Sequence, residues 1–368
     1  MPYEIRNDPK SVFEEAYESM INVWTVYRKH RVLVLIIALL LLIPSVLGYA
    51  ATRVNYDILT YLPDNIDTMV GQEILQDEFG KGAYSMVVVQ GMDDKDVAKM
   101  REEFTKVDGV ADVLWYDSIA SLSVPKEILP DDLLDKFNTE DSTMMLVFFK
   151  GGTSSDETLE ALSQLKQIAG KRALIGGMTA TISDTRDLTE QEEPIYVLIA
   201  VLLSCVVLAI TMDSLMLPLL FIASIGMAIL YNLGTNVFAG EISYITMALA
   251  AVLQLGVTMD YSIFLWHSFS ENLQYYDTKE EAMAHAIAAT FSSVLGSSLT
   301  TVAGFIALCF MSFTLGLDLG IVMAKGVVFG VISCVTILPA LILIFYKAIK
   351  RPPTAPCSRM WAVSPAAS

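Results

Sequence analysis

VLVLIIALLLLIPSVLGY, residues 32–49, decides the class of this protein. It carries no charged side chain, and its 18 residues are enough to cross the hydrocarbon core of a bilayer as a helix. A secretory signal has a shorter apolar core, about 7–15 residues, close to the N-terminus. This run starts only at Val32, after a polar and amphipathic segment, and reads as a retained helix. Farther along, apolar residues fill most of Ile195 to Tyr346. Spans are expected at 32–50, 194–211, 214–236, 243–267, 287–311 and 319–346. Arg28, Lys29 and Arg31 precede the first, and Lys347, Lys350 and Arg351 follow the last. Basic flanks mark the cytoplasmic side. Both ends can lie there only if the number of spans is even, and six satisfies that. The reading is a multi-pass protein of the cell membrane with both termini cytoplasmic.

Residues 1–31 read as an amphipathic segment on the cytoplasmic face. Asp8 before Pro9 has the form of a helix cap, and Phe13, Ala16, Met20, Trp24 and Tyr27 recur at helical spacing. The tail, 348–368, is rich in Pro, Ala and Ser and is expected to be disordered. In the 268–285 connector, Asp277 or Thr278 is placed to cap a short interfacial helix, with Glu281 following.

Residues 51–193 hold most of the charge. They contain 28 acidic against 13 basic side chains, in a chain of net charge −17. Phosphate binding needs a basic patch, so no nucleic-acid partner is expected. The segment alternates strand and helix signals. Ser85–Gln90, Val110–Trp115, Met144–Phe149 and Ala173–Gly176 read as strands. Asp93–Val107 and Ser155–Ala169 read as helices, and an insertion with Pro125 and Pro130 separates the halves. That order, β-α-β twice, is the split ferredoxin-like pattern, and the long polar segment is expected outside the membrane. Thr181–Glu193 should form a helix running into the second span.

None of the four cysteines, Cys205, Cys309, Cys334 and Cys357, lies in the polar segment, so it has no disulfide framework. No Cys/His grouping has metal-ligand spacing, and His30, His267 and His285 read as interfacial. There is no phosphate-binding loop of the GxxxxGKS type. No metal, no cofactor and no enzymatic constellation is expected. The energy source is then an ion gradient or a partner.

Ionisable groups inside spans are costly and point to function. Asp260 sits in GVTMDYSIFLWH of the fourth span, with Tyr261 beside it and Gly256 one turn earlier. A carboxyl there can load and release a proton as its surroundings dry and wet. Gly256 and Gly304 are expected to make room for close helix packing. The fifth span carries Ser292, Ser293, Ser297, Ser298, Thr300 and Thr301; Thr300 or Thr301 is expected near Asp260. Lys325 is the other charge within a span, nearer the outside, and either joins the relay or snorkels. Asp318 reads as interfacial, and Gln254 as a weaker polar candidate.

NYDILTYLPD (Asn55–Asp64), GVTMDYSIF (Gly256–Phe264), SSLTTVAGFIAL (Ser297–Leu308) and LDLGIVMAKG (Leu317–Gly326) resemble the RND superfamily, in particular its MMPL and hydrophobe/amphiphile efflux branch. The resemblance covers residues 25–350. It implies a porter-type outside domain and a proton relay at Asp260 with Tyr261. It also implies proton-driven export of lipids or other hydrophobic compounds. The five-span block also resembles a sterol-sensing domain. Members of the family usually carry two such half-units; this chain has one. A homodimer or a second half-unit would complete a twelve-helix assembly, unless the chain is one half of a truncated transporter. Two other classes fit the same helices: a lipid-sensing regulatory protein and a secretion accessory like SecD/SecF. Expressed alone, residues 51–193 should give a mixed α/β circular dichroism spectrum that reductant leaves unchanged; a wholly helical spectrum would refute the pattern.

Overall fold

The computed structural model describes residues 9–118, 137–139, 141–212 and 214–349, with side chains from His30 onward. The amphipathic reading of 1–31, the Asp8 cap, the insertion with Pro125 and Pro130, and the disordered tail lie outside the residues or side chains described. In chain order the elements are α1 (Pro9–Ala51), α2 (Asp67–Asp77), β1 (Ala83–Gln90), α3 (Asp94–Thr105), β2 (Val110–Leu114) and β3 (Ser142–Phe149). They continue with α4 (Asp156–Ala169), β4 (Ala173–Gly176), α5 (Met178–Thr211), α6 (Met216–Gly234), α7 (Tyr244–Asn272), α8 (Lys279–Leu308), α9 (Leu315–Val335) and α10 (Ile337–Ile349). The chain divides into two compact units. One is Asn55–Glu192 with Ser312–Thr314; the other holds the long apolar helices.

In the first unit the strands form one antiparallel sheet in the order β2-β3-β1-β4. Val87 lies opposite Met145 on one side and Ile175 on the other. The strands alternate: Val87, Val89, Met145, Val147 and Phe149 point into the core. Val97, Met100 and Phe104 of α3 and Ala161, Leu162 and Leu165 of α4 fill that core from above. Residues at i, i+3 and i+4 share a helix face, which is why these spacings pack on the sheet. Ser155 caps α4 by accepting from the Thr158 N–H, and Gly170, at φ 55°, ends it. The buried Trp115 donates its indole N–H to Thr143 Oγ1 at 2.7 Å. Asn55 and Asp57 of the NYD triplet are local scaffolding. Asn55 Oδ1 accepts from the Asp57 N–H at 2.9 Å, and Asp57 caps the following turn and takes the Thr153 hydroxyl.

Six helical stretches among the described residues are long and apolar enough to cross a membrane. They are His30–Ala51, Met178–Thr211, Met216–Phe238, Tyr244–Asn272, Lys279–Leu308 and Leu315–Ile349. All six expected spans are therefore present, with three changes at their edges. The fourth runs on to Asn272. Thr278 caps α8 itself, accepting from the Glu281 N–H, so the helix expected in the connector is the first turns of the fifth span. The sixth breaks between Val335 and Ile337. Pro339 explains the break, because it has no N–H to offer the carbonyl of Val335. The helix expected over 181–193 is present as the first part of α5, which runs unbroken through Pro194.

Arg31 pairs with Glu280 at 2.8 Å, and Lys279 donates to the Leu343 carbonyl at 3.0 Å. These contacts gather the His30 end of the first span, the start of α8 and the end of α10 at one end of the bundle. At the other end α1 crosses α6 backbone to backbone at Gly48 and Gly234. The Tyr231 hydroxyl also donates to the Ala38 carbonyl at 2.7 Å. α9 is bedded on glycines: Gly316 and Gly320 lie against α8, Gly326 against Asn232 and Gln254, and Gly330 against Thr258. Removing this close approach should cost stability. A Cβ on Gly234 would run into the Ser45 backbone, whereas one on Gly226 meets open space. Gly234→Ala is expected to lose about 1–3 kcal/mol in detergent unfolding, the usual range for overpacking, and Gly226→Ala to lose nothing comparable.

Candidate functional site

α7 places the two expected relay residues on different sides. Ser243 caps the helix by accepting from the Ile245 N–H at 3.2 Å. Asp318 Oδ2 anchors its first turn, taking the Ser243 N–H at 2.9 Å and the Thr246 hydroxyl at 2.6 Å. The helix then runs for 29 residues, with Asp260 past its midpoint. Successive residues turn by about 100° at 3.6 per turn. Tyr261 therefore points into the bundle, 3% exposed, and its hydroxyl sits beside those of Ser297 and Thr301. Asp260 is exposed on the outer face of the same helix.

Gly256, one turn before Asp260, is exposed on that face too. A Cβ on Gly256 or Gly304 would meet nothing within 4 Å. The packing expected at these two glycines is therefore not made among the described residues; in the bundle the close approaches are at Gly48, Gly234 and the glycines of α9. α8 shows the same division. Ser292, Ser293, Ser297, Thr300 and Gly304 are exposed, Ser298 is buried, and Thr301 is intermediate. Thr300 and Thr301 both donate to the Ser297 carbonyl, at 2.8 and 3.0 Å. Of the two threonines expected near the relay, Thr301 adjoins Tyr261, and Thr300 points away from the bundle. The result is a polar, small-residue strip on the uncovered sides of α7 and α8, with Asp260 as its carboxyl.

Lys325 is not part of that strip. It donates to Asn236 Oδ1, in the turn that follows α6, at 2.5 Å, at the end of the seam where α6, α7 and α9 meet. The seam continues with Asn232 donating to Gln254 Oε1 at 3.0 Å, and with Ser224 and Ser333 bonded to each other at 2.8 Å. Sequence reasoning found Gln254 only weakly and missed Asn232, Asn236, Ser224 and Ser333. Two asparagines four residues apart in an otherwise apolar run were the signal available. Asp318, read as interfacial, ties the start of α9 to the start of α7.

Residues 60–367 match the model of the MMPL family. The apo-petrobactin exporter of Bacillus anthracis is 24% identical over 309 residues, which are 77% of this chain and 41% of that protein. The probable transport protein MmpL12 of Mycobacterium tuberculosis is 22% identical over 345 residues, 88% of this chain and 29% of that one. The chain thus spans less than half the length of these relatives. Among solved structures, SecDF of Thermus thermophilus, a translocon-associated membrane protein, superposes with a TM-score of 0.48 at 16% identity. That match covers 87% of this chain and 38% of SecDF.

Proposed function

The chain belongs to the MMPL family, and on that premise we propose that it is a half-unit of a proton-driven exporter of lipids or other hydrophobic, amphiphilic compounds. One observation carries the reading: Asp260 stands on a polar face of the bundle that nothing else in the described chain covers. A carboxyl near the middle of a span costs about 2.5–3.5 kcal/mol on insertion scales, and a face aimed at lipid gives nothing back. A second half-unit seated on α7 and α8 would cover Asp260, Gly256, the exposed hydroxyls of α8 and Gly304 together. The small residues would admit its helices closely. Two carboxyls meeting across such an interface would not both stay ionised. Loading and unloading a proton there then changes how the halves attract each other, and that is a means of driving export. Tyr261, with Thr301 behind it, would act from the inner side of α7 as a hydroxyl relay. Support for a double assembly also comes from the relatives, of which this chain spans less than half. The export named for the Bacillus anthracis relative supports the direction of transport.

The unit Asn55–Glu192 is read in this scheme as the porter-type domain outside the membrane. Its strand order, β2-β3-β1-β4, and the helix in each half support the ferredoxin-like reading. Arg31 and Lys347 lie at the bundle end assigned to the cytoplasm. In a cysteine-free background, Lys99→Cys, on the exposed side of α3, should be labelled from outside intact cells. Tyr275→Cys, 80% exposed in the α7–α8 connector, should be labelled only after permeabilisation. The reverse pattern would invert the topology.

The relay itself is tested at Asp260. Asp260→Asn keeps shape and hydrogen bonding but cannot titrate. It should leave expression and insertion intact and abolish proton-dependent export in a reconstituted assembly, while Tyr261→Phe slows export less. Wild-type export by the Asn variant, with the same dependence on the proton gradient, would remove Asp260 from the mechanism.

A further inference from the structure

The seam between α6, α7 and α9 holds more hydrogen-bonding atoms than its own bonds use. Asn232 and Gln254 are buried, at 0% and 2% exposure, and share one bond of 3.0 Å. That bond leaves Asn232 Oδ1 and Gln254 Nε2 with no partner among the described residues. Exchanging oxygen and nitrogen in both amides reverses the bond and still leaves one donor and one acceptor free. Asn236, 3% exposed, allows no such exchange, because its oxygen takes the Lys325 proton. Its Nδ2 is likewise without a partner among the described residues. Asn232 and Asn236 stand one turn apart. The glycine next to Lys325 faces the amide pair: a Cβ on Gly326 would lie 2.7 Å from Asn232 Nδ2 and 2.9 Å from Gln254 Oε1. The amide pair thus packs against the glycine next to Lys325, and Asn236, which accepts the Lys325 hydrogen bond, follows Asn232 by one turn.

The chemistry of the set selects its ligand. A metal ion would face the two N–H donors and an ammonium. An anion would face the free amide oxygen. Water donates and accepts at once, and buried side-chain amides are as a rule bonded to protein or to water. A buried water needs two to four polar partners, which this set supplies.

We propose that this seam is a built water site, in which bound water molecules bridge the free amide atoms of Asn232, Asn236 and Gln254 and extend the hydrogen bonding to the Lys325 ammonium. Lys325 is then solvated within the bundle, with no need of a carboxylate partner. The water lies on the inner side of α7, separate from the outer face that carries Asp260, and the inference does not depend on transport. It is tested by X-ray radiolysis of the full chain in lipid nanodiscs with isotope-labelled water. Bound water releases hydroxyl radicals in place and marks the side chains beside it. Leu233, Met247 and Met323 are the reporters, since they form one buried cluster next to Asn232, Thr246 and the Lys325 turn. Met283, 2% exposed in the other apolar cluster, is the control. Leu233, Met247 and Met323 should take up label severalfold faster than Met283. Gln254→Leu should bring them toward the control rate, and Asp260→Asn should not. Equally slow labelling of reporters and control in the native chain overturns the proposal, as does native-rate labelling in a folded Gln254→Leu variant. Should that variant not fold, the native comparison decides alone.

Discussion

The rest of the bundle depends on one constraint: inside a bilayer, a polar group finds its partner within the protein or goes without. Backbone groups meet it by forming helices. Side chains meet it by choosing a face. In this chain the choice divides α7 lengthwise. Gln254, Thr258 and Ser262 turn inward and are buried, while Gly256 and Asp260 turn outward. α8 makes the same division between Ser298 and its exposed neighbours. The inward side closes on itself with α6 and α9, and the outward side ends at the surface of the chain.

The six spans and the sheet were legible because they rest on apolar runs of different length. Long runs mark the helices, and short β-branched or apolar runs mark β1 and β3, and the strand Ala173–Gly176 falls where it was expected. Edges were less legible. Thr278 has the sequence of a cap in any reading; nothing local says that the helix it starts continues for 30 residues. The break before Ile337 was written in Pro339, but apolar residues on both sides concealed it. Faces were harder still. Asp260 and Tyr261 are adjacent in sequence, about 100° apart around α7, and that one is exposed and the other buried follows only from where the neighbouring helices pack. Gly256 and Gly304 illustrate the same limit. A glycine in a span announces a close approach, and the sequence does not name the body that approaches.

Lys325 shows how partners decide the meaning of a charge. Along the chain it looks like a counter-ion in search of a carboxylate. In the fold it finds a neutral amide at Asn236, and Asp318, two turns earlier on the same helix, is engaged with Ser243 and Thr246. The two charges of α9 serve different neighbours. One fastens the starts of two helices together, and the other bonds an amide of the seam.

The glycines of α9 have a mechanical consequence. Gly316 and Gly320 run against α8, and Gly326 and Gly330 against the Gln254–Thr258 side of α7. Within each pair the spacing is four residues, close to one helical turn. An axial slip of one turn, about 5.4 Å, would set one glycine near the place its pair-mate had occupied. α9 thus lies in its bed on two pairs of notches, and a bulky side chain at any of the four would lift it off its neighbours.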